Sequence, residues 1–111
     1  MAPALSRASG KVVVKPDDGP AIRLTPDRCE AVAMALLQAT HGTVPSVTLE
    51  EPRSEGYMLR VVSRPDERLV ILANTGKYGD GLAWWDFAEV RQAAAEILRL
   101  AVDLELRPKR R

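Results

Sequence analysis

Tyr57–Ala73 reads YMLRVVSRPDERLVILA. Two β-rich runs, Tyr57–Arg64 and Arg68–Ala73, flank the turn residues Pro65, Asp66 and Glu67, which predicts an antiparallel pair of strands. Successive strand residues point to opposite faces, so Tyr57, Leu59 and Val61 fall on one side and Met58, Arg60, Val62 and Arg64 on the other. A three-residue loop carries Arg68, Val70 and Leu72 onto that second side, whereas a two-residue loop carries Leu69 and Ile71 there. The polarity of Arg68 favours the former. The expected helix-free face is therefore Met58, Val62, Val70 and Leu72 within a frame of Arg60, Arg64 and Arg68. Apolar groups rimmed by arginines suit a contact with a second copy of the chain or with another protein.

Outward from this pair, Val47 and Leu49 alternate with Ser46, Thr48 and Glu50 as a further strand that Pro52 ends. Lys11–Lys15 and Ala21–Leu24 form a hairpin around Pro16, Asp17, Asp18 and Gly19. Thr25 is placed as a helix N-cap with Pro26 at the first helical position, where its missing donor costs nothing. Cys29, Val32, Ala33, Leu36, Leu37 and Thr40 follow at helical spacing, and Gly42 supplies a stop. A second helix starts at the capping box Asp86–Glu89, with Trp85 set to staple onto Val90. Its apolar stripe is Phe87, Val90, Ala94, Ile97, Leu98, Ala101 and Leu104. The predicted fold is α+β, order ββαβββα: an antiparallel sheet of about five strands with two helices on one face. Residues 1–10 are expected to be a flexible tail, 11–106 one domain and 107–111 a basic C-terminal tail.

The 111 residues are 46% hydrophobic and 28% charged, which fits one globular domain of ordinary composition. Sixteen basic and fifteen acidic residues leave a net charge of +1, short of the strong field of a dedicated duplex binder. The charge is unevenly placed. Arg7, Lys11, Lys15, Arg107, Lys109, Arg110 and Arg111 sit at the flanks, while residues 16–106 hold nine basic and fifteen acidic residues. These basic termini, Arg107, Lys109, Arg110 and Arg111 among them, together with the arginine-rimmed sheet face give an alternative reading, a nucleic-acid-associated regulatory protein. No apolar run in Met1–Gly10 has the length of a signal peptide, and Ala31–Leu37 falls far short of a membrane span. A soluble, cytoplasmic protein is expected, with no membrane partner.

Nothing assembles a reaction centre. Cys29 and His41 are the sole residues of their kinds, twelve positions apart, so they make neither a dyad on one helix nor a zinc site. The acidic pairs Asp17–Asp18 and Asp66–Glu67 lie in turns and Glu50–Glu51 at a strand end, where solvation explains them. Gly76–Gly81 (GKYGDG) has glycines but not the spacing of a phosphate loop, and Asp80 repels an anion. No catalytic residue, cofactor or metal is expected. Tyr78 and Trp84, which flank this loop in a chain of five aromatics, are candidate interface anchors instead.

Val90–Glu96 (VRQAAAE), ending a run of helix, three strands and helix over residues 26–106, is similar to the Ala-rich second helix of double-stranded-RNA-binding domains. That family has a lysine cluster at the start of this helix, where this chain has Phe87, Ala88 and Glu89. No functional residue is carried over. The expectation is a small non-catalytic interaction module, a homodimer of the accessory, regulatory or inhibitory type found in bacteria or phages.

Overall fold

The computed structural model describes residues 3–16, 19–41, 46–50, 58–75 and 80–106. The elements are β1 (Ala4–Ala8), β2 (Lys11–Lys15), β3 (Ile22–Leu24), α1 (Pro26–Ala39), β4 (Ser46–Glu50), β5 (Met58–Arg64), β6 (Leu69–Thr75), β7 (Gly81–Asp86) and α2 (Phe87–Leu106). The class is α+β, as the periodicities imply. The strands, however, form two antiparallel meanders, β1-β2-β3 and β4-β5-β6-β7, rather than one sheet of about five.

Two strands account for the difference. Ala4–Ala8, expected to be tail, pairs with β2 along its whole length from Ala4–Lys15 to Ala8–Lys11. Ser9 and Gly10, both at positive φ (53° and 75°), make the two-residue turn whose twist suits a tight hairpin. Only Leu5 of β1 is even half-buried, so its sequence lacks the apolar alternation that marks a strand. Gly81–Asp86, expected to lead directly into a helix, is instead β7, paired with β6 from Leu69–Asp86 to Asn74–Gly81. Its Gly81, Ala83 and Trp85 point into the core, and two of those three are too small to signal a buried strand.

One core joins both sheets and both helices. β2 and β3 contribute Val12, Val14, Ile22 and Leu24; the second sheet contributes Leu59, Val61, Val70, Leu72, Ala83 and Trp85. α1 packs on α2 and on β2, β4, β5 and β6, while α2 packs on β1, β2, β6 and β7. Ala33, Ala35 and Ala39 on α1 and Ala93, Ala94 and Ala101 on α2 are buried. The two meanders meet where Gly19 and Pro20 lie against Asp80 and Gly81. A Cβ on Gly81 would stand 2.6 Å from the Pro20 carbonyl oxygen, and one on Gly19 (φ +91°) would run into the carbonyl of Asp80.

Helix starts follow the expected local rules with one change. Thr25 has extended backbone and Pro26 opens α1, but the Thr25 side chain makes no cap hydrogen bond. Its hydroxyl serves the Asp27 carboxylate, which that bond, and then the Asp27 backbone, hold below the usual range. At α2 the Glu89 carboxylate accepts the Asp86 N–H at 3.1 Å, the reaching-back half of the capping box. Ser63, the buried polar side chain of β5, donates from Oγ to the Ala39 carbonyl at 2.9 Å and so ties the sheet to the end of α1.

Candidate interaction face

The face of the four-stranded sheet turned away from the helices is set by register. Residues paired across antiparallel strands share a face, so Val62, Ile71 and Trp84 form one row across β5, β6 and β7. Arg64, Leu69 and Asp86 form the next, and Arg60, Ala73 and Leu82 the row on the other side. Val62, Leu69, Ile71, Ala73 and Leu82 are half-buried, and Trp84 retains 38% of its surface. Arg60, Arg64 and Asp86 are exposed at the rim. Among the described residues neither Arg64 nor Asp86 has an ion-pair partner.

This arrangement keeps part of the expected face and corrects the rest. Arg60, Val62 and Arg64 are on it as alternation predicts. Val70 and Leu72 are not: both are fully buried in the core, beyond reach of a partner. The cause is loop parity. Four residues separate Arg64 from its partner Leu69, a 3₁₀ turn over Pro65–Glu67 followed by Arg68 in left-handed conformation (φ 55°, ψ 45°). An even loop puts Leu69, Ile71 and Ala73 on the face of Arg64, whereas an odd loop would have put Val70 and Leu72 there.

Arg68 belongs to the turn. Its N–H bonds the Pro65 carbonyl, its own carbonyl accepts from Phe87 N–H at 3.0 Å, and its guanidinium lies 5.6 Å from the Phe87 ring centroid. The residue thereby joins the β5–β6 turn to the start of α2. Trp84 lies on the outer side of β7 with 38% of its surface accessible. Tyr78, the Met58 side chain and Arg107, Lys109, Arg110 and Arg111 lie outside the described residues; the Met58 backbone pairs with Thr75. Sequence reasoning weighed Leu69 and Ile71 for this face and set them aside, and it missed Ala73 and Leu82. The alternation GLAWWD of β7 was the available signal for Leu82, since it splits the two tryptophans between faces.

Other candidates are occupied within the fold. Cys29 is buried, and burial first, then the charges of Asp27 and Glu105, push its thiol up to about 11. His41 is exposed beyond the end of α1, with its backbone N–H on the Gln38 carbonyl. An open cleft of about 320 Å³ runs between Pro3, Leu5 and the Glu89–Glu96 face of α2. Its carboxylates already have partners: Glu89 the Asp86 N–H, and Glu96 the Arg99 guanidinium. Arg7, one of the basic flank residues, pairs with Asp103 of α2 at 3.5 Å. No group of three His, Cys, Asp or Glu suited to a metal ion occurs among the described residues. Nor is any described helix long and apolar enough to cross a membrane.

No known protein family, curated protein or solved structure matches the chain. The functional reading therefore stands on its own residues.

Proposed function

We propose that this chain is a small, non-catalytic, cytoplasmic protein-interaction module whose working surface is the helix-free face of its four-stranded sheet, and that the face is covered by a second copy of the chain. The row Val62–Ile71–Trp84 carries this reading. A half-exposed tryptophan beside β-branched residues, with charges at the rim, is the composition of an interface centre rather than of a solvated sheet. Isolated exposed apolar residues need no explanation, but here the exposed Trp84 and five half-buried apolar residues lie side by side on one sheet face.

Three strands about 4.8 Å apart and three rows about 7 Å apart give a footprint of roughly 300 Å² on each copy. That is the size of a small, reversible contact, so the dimer forms with rising concentration rather than being permanent. Trp84 reports on it directly. Acrylamide quenching of tryptophan emission, measured across a wide protein concentration range, should weaken as Trp84 becomes covered, while Trp85 contributes a constant protected signal. Quenching that is independent of concentration would oppose the reading.

A further inference from the structure

Resting on the self-association just proposed, we infer that the two copies stack face to face about a two-fold axis running along β6, which sets Arg64 of each copy against Asp86 of the other. β6 has β5 on one side and β7 on the other. Rotation by half a turn about a line parallel to β6, between two facing sheets, exchanges the two sides while leaving position along the strands unchanged. β5 of one copy then lies over β7 of its partner, and every row meets the same row.

Two of the three rows are complementary under that operation, while the third sets Arg60 over Leu82 of the other copy. In the Val62–Ile71–Trp84 row, Val62 meets Trp84 of the other copy and Ile71 meets its own equivalent on the axis. In the Arg64–Leu69–Asp86 row, Arg64 meets Asp86 twice, once on each side of the axis. Within one chain these two residues stand on either side of Leu69, two strand spacings or about 10 Å apart, and make no ion pair with each other among the described residues. Facing sheets also lie about 10 Å apart, a gap that a long arginine and a short aspartate close together. The other in-plane two-fold, across the strands, sets β5 on β5 and β7 on β7, which leaves Arg64 without an opposite charge. An isologous contact places the same patch on both copies, so one row supplies two ion pairs.

Charge reversal tests the axis. R64E and D86R should each weaken self-association of the full chain by at least about tenfold at low salt, because each brings like charges together twice. An equimolar mixture of the two variants should recover association, since both cross pairs are then again opposite in sign. The double variant R64E/D86R should recover it alone, to within about threefold of the parent chain. Amide spectra of each variant confirm that the fold is kept. A parent dimer that W84A breaks, with a mixture no tighter than either charge variant by itself, would overturn the axis along β6 and leave the interaction face standing. A parent chain monomeric at every concentration would overturn both.

Discussion

Ile71 and Trp84 face each other across β6 and β7 on the helix-free side of the sheet, while the next pair along the same strands, Val70 and Trp85, is buried under the helices. Adjacent tryptophans thus occupy opposite environments, 38% and 1% exposed. The strand's two-residue period alone separates a surface role from a core role at neighbouring positions.

That separation makes a paired prediction. Trp85→Ala should cost about 3–5 kcal/mol of folding stability, because it empties a large site in the core. Trp84→Ala should change the stability of the monomer by no more than about 1 kcal/mol and should weaken self-association. Chemical denaturation at low protein concentration measures the first pair of values, and solution mass at high concentration measures the last. Equal destabilisation by both substitutions would contradict the assignment of faces.

Cys29 should behave as a buried hydrophobe. Its folded-state value of about 11 stands above the ordinary value of 9.0, so the folded chain holds this proton more tightly than the unfolded one. The associated stabilisation is complete below pH 9 and is lost as pH rises toward 11. Denaturation midpoints of the parent chain should therefore fall over that interval more than those of Cys29→Ala. At pH 8 a thiol reagent should react slowly with the native chain and at once after unfolding.

Ser63→Ala should lower stability by about 1–2 kcal/mol. It removes the hydroxyl that donates to Ala39 and leaves a carbonyl at the end of α1 without that donor in a buried setting. Hydrogen exchange in the last turn of α1 should quicken in the same variant. Unchanged exchange there would show that the bond does not hold the helix end.

Gly81→Ala should be more damaging than an ordinary strand substitution. A methyl group at this position meets the Pro20 carbonyl oxygen, so the junction of the two meanders must open. The expected result is a loss of about 1–3 kcal/mol. A thermal midpoint equal to that of the parent chain would contradict the close approach.

What was legible in the sequence follows from which residues carry strong local signals. Pro26 after Thr25, and Glu89 three residues after Asp86, place the two helix starts correctly, because capping chemistry is local. Alternation along β5 likewise puts Arg60, Val62 and Arg64 on one face. The parity of the next strand was not legible: Arg68 adopts a left-handed conformation and adds a fourth residue to the turn, held by contacts to Pro65 and Phe87 that come from different elements. One residue of loop length exchanged Val70 and Leu72 for Leu69 and Ile71. β1 was missed because its stability comes from pairing with β2 rather than from burial of its own side chains. β7 was missed because Gly81 and Ala83 bury little.

A second copy covering the helix-free face makes the mass in solution depend on concentration. Solution mass by light scattering or sedimentation, across protein concentration, at low and high salt and free of nucleic acid, measures this most directly. The predicted result is a rise from 12.2 kDa toward twice that mass. The apolar row should keep the dimer at high salt with reduced affinity, and Trp84→Ala should shift the rise to much higher concentration. A mass of 12.2 kDa at every concentration and salt would contradict it, as would a dimer unaffected by Trp84→Ala.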